Sequence, residues 1–407
     1  MVERARVVIG DAVLGNNHGV LSEYSRSLRE NLLSRGTECE VLAFQQQDPG
    51  HFLRTLAAES AAHRNLLFFG NGFFYDLHVT AQNHYNQTSL FDALRVPVVA
   101  RVDDAPYTTF MWPRLLQSPA TALHVASQPV CDLGHLLFPR LTRWLAVPNF
   151  AVYPRSLMQE ACDPDIDLFV PLSITSGHPI DQVVSLLQSV DEPLRRLGCY
   201  LIDTIRSHYG KVDMYLLLQS YMHDYPGAFT ELQVLAVGQL MSAIDNALRI
   251  EWRQGFMARL GDINPAWQIV VTSPPPPSGA VPANIHYVGN RDVCDLWRFV
   301  ARSRATLNIH PICARDIHER VINVTTAGRA CITDPTLALE QVFTHGEDIV
   351  FIRSPEDLPR VSFEFAARDL DTIGVRAAGK AAGLFSVERY VVSVSAAVEQ
   401  HFNLSLV

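Results

Sequence analysis

The stretch HERVINVTTAGRACITD, residues 318–334, groups a histidine, a glutamate and an arginine where a helix is expected to start. Arg320 offers a planar guanidinium for a charge-assisted contact with phosphate. Glu319, an acceptor only when ionised, suits sugar hydroxyls such as those of a ribose. The preceding run ATLNIHP reads as a central strand, apolar up to Asn308, and PICARD as the loop leaving its C-terminal end. Asp316 and Glu319 have capping-box spacing, so the helix is expected to begin at about Ile317. Gly328 fits the position just past the helix end, and ACITD is the next parallel strand. Such a unit aims a helix N-terminus, with its unpaired N–H groups and positive dipole end, at the ligand edge of a sheet. Glu319, Asn323 and Thr326 then share one helix face. A glutamate in a first helical turn is also favoured by the dipole and the cap alone, so the residues by themselves support a structural role equally.

The elements that must position these groups alternate along most of the chain. ARVVIGDA reads as a buried strand, GNNHG as a loop and VLSEYSRSLRENLLSRG as a helix, with Tyr24, Leu28 and Leu32 at helical spacing and Gly36 as its stop. ECEVLAF, NLLFFGNG, VPVVARVDD, TALHVAS and RWLAVPN continue as strands, with a helix near 51–62. Short apolar runs separated by helical patterns imply βαβ units on a parallel sheet. ACDPDIDLFVPLSITSG breaks the pattern and starts a second set, in which residues 179–262 read as largely helical. Alternation returns with WQIVVTS, IHYVG, ATLNIH, ACITD and DIVFI, after the proline-rich loop SPPPPSGAVPAN, and helical patterns recur near 374–384 and 386–401. The fold class expected is α/β, with two Rossmann-like domains facing a central cleft and a helical insert in the second. Residues 1–165 form the first domain, and 166–385 the second, with its insert at about 179–262. Residues 386–407 form a terminal helix. Apolar spacing on several faces of the insert suits a packed subdomain or an oligomer surface, hence a possible homo-oligomer.

Composition agrees with a packed α/β protein. Of 407 residues, 48% are hydrophobic and 18% charged, and the net charge is −9. That balance disfavours a nucleic-acid-wrapping surface, so no nucleic-acid partner is expected. The seven cysteines are scattered, with no CxxC and no metal-ligand spacing, as for reduced thiols packed as small apolar residues. No run of about 18 apolar residues suggests a transmembrane segment, and a cytoplasmic, soluble protein is expected.

From about Ile285 to Phe402 the sequence resembles the C-terminal domain of GT-B glycosyltransferases of the group 1 type, nearest to spore-maturation-like bacterial sugar transferases. The pieces are IHYVGN, DLWRFVARSRATLNIHP, HERVINVTTAGRACITD, EQVFTHGEDIVFIRSPEDL and GKAAGLFSVERYVVSVSAAVEQHF. The resemblance implies transfer of a sugar from a nucleotide-activated donor, a co-substrate rather than a cofactor, to a hydroxyl of a glycan, a protein or a small metabolite. It places His286 to Gly289 near the nucleobase and His310 along the donor pocket. Arg320 would face the donor phosphates and Glu319 the sugar or ribose, and the final helix would cross back to the first domain. Many members carry an acid three positions after the arginine, where this chain has Asn323. A catalytically silent glycan- or nucleotide-binding or scaffold protein is therefore an alternative, as is a nucleotide-sugar epimerase of the same architecture.

Such a transfer must stabilise a leaving diphosphate by a metal or by cations and helix dipoles. DPDID (163–167) has DxD spacing but lies in the break between domains, where it reads as a polar linker, so a metal-independent mechanism is expected. An inverting reaction needs a general base in the first domain. Asp103 and Asp104 follow a strand at the expected ligand edge, and His18 lies in GNNHG at the same edge. His84, in HVTAQNHYN, and Tyr107, beside the aromatic TTFMWP, are candidate acceptor contacts. Ser176 and His178 of TSGHP are candidate donor contacts. Each has a plain alternative: a turn, a cap, a solvated loop histidine, or a core aromatic. Lys380, between glycines in a helix, reads as a solvated face.

Overall fold

The structure is a computed structural model. It describes residues 2–12, 20–44, 48–71, 78–80, 87–101, 121–125, 128–137, 143–152, 163–172, 179–208, 212–225, 231–275, 281–309 and 317–407. The chain divides into two compact units, Met1–Val152 with Phe385–Val407, and Tyr153–Leu384.

In the first unit the strands are β1 (Glu3–Arg4), β2 (Arg6–Ala12), β3 (Cys39–Phe44), β4 (Leu66–Asn71), β5 (His78–Thr80), β6 (Gln87–Ser89), β7 (Val98–Arg101), β8 (Thr121–Val125) and β9 (Trp144–Ala146). Its helices are α1 (Val20–Ser34), α2 (Pro49–Ala62), α3 (Leu90–Leu94) and α4 (Gln128–Leu137). The main sheet is six-stranded, in the order β3-β2-β4-β7-β8-β9, with every described pairing parallel. β5 and β6 form a separate antiparallel pair. Tyr24, Leu28 and Leu32 of α1 are buried at the expected spacing. Gly36, at φ +76, ends that segment. On the other face Val8, Phe68 and Val98 pack with Phe52, Leu56 and Phe91 of α2 and α3.

The second unit holds β10 (Ile166–Val170), β11 (Ile269–Val271), β12 (Ile285–Tyr287), β13 (Ser303–Asn308), β14 (Ala330–Thr333) and β15 (Val350–Phe351). Among the described residues four α-helices, α5 (Ile180–Leu187), α6 (Glu192–Ser207), α7 (Met214–Asp224) and α8 (Glu231–Ala258), stand between β10 and β11. Then come α9 (Val293–Arg302), α10 (Glu319–Thr326), α11 (Leu337–Val342), α12 (Asp357–Glu364) and α13 (Ala367–Leu384). The order is β12-β11-β10-β13-β14-β15, all parallel. This is the doubly wound arrangement, whose strand order reverses between β10 and β13.

Two expectations need correction here. DPDID is not a linker: Ile166 and Asp167 open β10, and Asp165 and Asp167 hold Arg302 and Arg304, at 2.9 Å and 3.3 Å. The acids sit there because the N-terminal end of β10 lies beside that of β13. Lys380 is not simply solvated: its ammonium pairs with Asp348, whose side chain is 3% exposed. Asp348 also accepts the Thr344 N–H at 2.6 Å, so the pair pins the turn before β15.

The last helix, α14 (Val387–Phe402), and β16 (Leu404–Ser405) complete the first unit, with β16 pairing parallel to β1. Arg368–Phe402 contains an 18-residue window of mean hydropathy 1.3, long and apolar enough by composition to cross a membrane, which the sequence reading missed. Ser386 interrupts it, capping α14 through the Arg389 N–H. The halves pack in different units, α13 against β13, β14 and α10, and α14 against α1.

Candidate functional site

The helix expected at Ile317 begins two residues later. His318 is its N-cap, and the ring Nδ1 accepts the Arg320 N–H at 3.1 Å. The His318 carbonyl accepts from Val321 at 2.9 Å. An imidazole nitrogen thus does what a carboxylate cap does, and the N–H of Arg320 is satisfied within the helix rather than left for an anion. Asp316 lies outside the described residues. Gly328, at φ +73, ends the segment as expected.

The Arg320 guanidinium turns back toward the strand before it. Its Nη1 donates to Asn308 Oδ1 at 3.3 Å, Asn308 Nδ2 donates to Thr333 Oγ1 at 3.0 Å, and Thr333 Oγ1 donates to the Asp334 carbonyl at 3.2 Å. Asn308 and Thr333 are register partners at the C-terminal ends of β13 and β14. Asn308, Thr333 and Asp334 are all buried. Among the described residues no carboxylate lies within ion-pairing distance of Arg320. Burial pulls its pKa below the ordinary arginine value; Glu319 and then Cys331 pull it back up, and Arg249 pushes it down.

A second cation comes from the helical insert, and sequence reasoning missed it. Asp245, Arg249 and Arg253 lie at i, i+4 and i+8 on α8 and so share a face. Arg249 Nη2 donates to Asp245 Oδ2 at 2.6 Å. Asp245 and Arg253 are buried. The Arg253 pKa is pushed down to about 9, by burial first, then by Arg320 and Arg249, against the smaller pull of Asp245 and Asp334. Arg253 thus feels two arginines, Arg320 and Arg249, and two carboxylates, Asp245 and Asp334, with the arginines the larger influence. The available signal was the i, i+4, i+8 spacing of Asp245, Arg249 and Arg253, which the other polar residues of the helix, such as Asn246, Glu251 and Gln254, obscure.

The remaining expectations divide. Glu319 is the first residue of α10, partly buried and electrostatically coupled to Arg320. Asn323, one turn on, is buried, so the neutral amide occupies an interior position. Thr326 Oγ1 is buried on the same face with no hydrogen-bond partner among the described residues. Gly289 follows the outer strand β12 at φ +68, with open space where a Cβ would stand. His286, on β12, is exposed, its Nε2 3.2 Å from Gln268 Oε1. Arg320, Glu319 and Asn308 thus gather at the centre of the sheet edge, while Gly289 stands at its outer side. His18, His84, Asp103, Asp104, Tyr107, Ser176, His178 and His310 lie outside the described residues.

Residues 253–385, a segment beginning at Arg253 itself, match the family model described as glycosyl transferase-like. Among solved structures, sucrose-phosphate synthase from Thermosynechococcus elongatus is similar with a TM-score of 0.51 at 10% identity, over 98% of this chain and 99% of that one. HepE from Anabaena, crystallised with UDP and glucose, has a TM-score of 0.47 at 10% identity, over 97% and 100%. A glycosyltransferase from Rickettsia africae has a TM-score of 0.48 at 8% identity, over 98% of each chain. No curated protein matches the chain.

Proposed function

We propose that this chain, which has the GT-B fold and a glycosyl transferase-like segment at residues 253–385, moves a sugar from a nucleotide-activated donor to a hydroxyl acceptor. The observation that carries the reading is the partly buried Arg320 guanidinium, held inward on Asn308 and within the field of the buried Arg253. A nucleoside diphosphate leaving group gains negative charge as its bond to the anomeric carbon breaks. Two guanidinium groups close to it, Arg253 buried and Arg320 partly buried and held on Asn308, stabilise that charge with little reorganisation. In this reading the cations of the chain neutralise the diphosphate without a metal ion. Glu319 accepts from hydroxyls of the sugar or ribose, and the acceptor is a glycan, a protein or a small metabolite.

Thermal unfolding of the full chain against UDP, GDP and their glucose and mannose conjugates tests this. One nucleotide should raise the melting temperature, the rise should survive EDTA, and Arg320→Ala should remove it. No stabilisation by any of them would refute the reading. Asn323 favours a second one, a nucleotide binder without turnover, because a neutral amide fills the interior position where the resemblance places an acid. Release of free sugar from the stabilising conjugate separates the two.

A further inference from the structure

Arg320 is fixed at both ends. Its guanidinium rests on Asn308, and its backbone N–H donates to the ring Nδ1 of His318 at 3.1 Å. His318 is the N-cap of α10, at φ −60 and ψ 140. Its carbonyl also accepts from Val321 at 2.9 Å and from Ile322 at 3.3 Å. The first turn of the helix therefore starts from contacts of this one residue. That turn carries Glu319 and Arg320, two groups that the donor-side reading uses.

An imidazole is not a usual cap. Serine, threonine, asparagine and aspartate hold a helix start with an oxygen that accepts throughout the neutral pH range. An imidazole nitrogen accepts only while the ring is neutral, and with Nδ1 accepting, the ring proton sits on Nε2. A second proton turns Nδ1 into a donor opposed to the Arg320 N–H. Imidazoles ordinarily take up that proton near pH 6.5. His318 is only partly buried, so a proton can reach it from solvent.

The charged and titratable groups around this end of α10 are Glu319 and Arg320 on the helix, Cys331 on β14, Asp334 after it, and Asp245, Arg249 and Arg253 on α8. β13 contributes the neutral Asn308. On α13, which packs on α10, Lys380 pairs with Asp348 and Asp371 with Arg304. Among the described residues three arginines thus stand against three carboxylates. The hydrogen bond and the helix dipole then decide the sign, and both favour the neutral ring. The folded chain binds this proton less readily than the unfolded one. The contribution of the cap is complete above about pH 6.5 and is lost as the pH falls from there.

We propose that His318 is a positioning residue for the donor diphosphate: its neutral ring holds the first turn of α10, and with it Arg320, in the binding arrangement, and protonation of the ring weakens donor binding. This rests on the sugar-transfer reading above.

The test uses the stabilising nucleotide sugar of the panel above. Its diphosphate is esterified at both ends and keeps its charge between about pH 5.5 and 7.5, whereas a free terminal phosphate titrates at about pH 6. Calorimetry should show wild-type binding weaken about 2–30-fold from the higher to the lower pH, the ratio that corresponds to loss of a helix cap. His318→Asn, whose amide oxygen caps at either pH, should bind equally at both. His318→Ala should bind at the higher pH as weakly as the wild type does at the lower. Wild-type affinity that does not change with pH, a His318→Asn affinity that falls in parallel with it, or full affinity in His318→Ala overturns the proposal. If no nucleotide sugar binds, the transfer reading fails by itself, and urea melts of the ligand-free proteins still test the cap. The stability of the wild type relative to His318→Asn should drop between those two pH values, and a constant difference overturns the proposal.

Discussion

Arg320 and Asn308 meet at 3.3 Å, joining the first turn of α10 to the last residue of β13. The contact turns a long, flexible cation inward over the strand ends. Replacing Asn308 by Ala frees that cation and leaves Thr333 without its amide donor. Loss of one such hydrogen bond to a charged group costs about 1.5–3 kcal/mol. The stabilising nucleotide should then bind roughly tenfold or more weakly, as measured by calorimetry, with the fold retained.

Arg253→Met tests the second cation. It removes a buried charge that lies within the field of Arg320. The variant is expected to shrink the nucleotide-induced melting shift, and a shift of wild-type size would mean that Arg253 takes no part in holding the anion.

His124 should make the first unit acid-sensitive. Burial pushes its pKa down to about 3 against an ordinary 6.5. Between those values the unfolded chain binds a proton that the folded chain refuses. Stability is therefore complete above pH 6.5 and falls as the pH drops toward 3, by about 1.4 kcal/mol per unit from this group. His124 Nε2 donates to the Val147 carbonyl at 2.8 Å. His124→Gln, which can still donate there, should flatten that slope in urea melts recorded at stepped pH.

Two glycines of α13 should behave oppositely. A Cβ on Gly374 would strike the Gly328 carbonyl and the Ala330 N–H, whereas one on Gly379 would meet nothing. Gly374→Ala should destabilise by about 1–3 kcal/mol, since the obstacle is backbone and cannot turn aside. Gly379→Ala should be neutral or stabilising by about 0.5–1 kcal/mol through helix propensity. Paired melting curves decide it.

Lys380→Met tests the pin before β15. The buried Asp348 carboxylate would lose its cation. Because the lysine is partly exposed, the expected loss is about 1–3 kcal/mol, below that of a fully buried pair, as read from urea melting curves of the two proteins.

The α/β class was readable because periodicity is local. Tyr24, Leu28 and Leu32 announce α1 without reference to anything distant, and Gly328 announces the end of α10 by its backbone alone. The start of α10 was placed at about Ile317 on the Asp316–Glu319 spacing, whereas His318 caps the helix through a ring nitrogen, a role that the spacing did not indicate. The acids of DPDID looked like a linker because their partners, Arg302 and Arg304, are far along the chain and approach only when β10 pairs with β13.

What the sequence determined by itself is the list of elements, their parallel arrangement and the placing of Glu319 and Arg320 at a helix start, since each follows from neighbours a few residues apart. Only the tertiary structure decided that Arg253 from the insert helix stands within the field of Arg320, and that the Arg320 guanidinium rests on Asn308. Those relations arise from strand order and helix packing, and the burial that shifts each group's pKa exists only once the sheets are assembled.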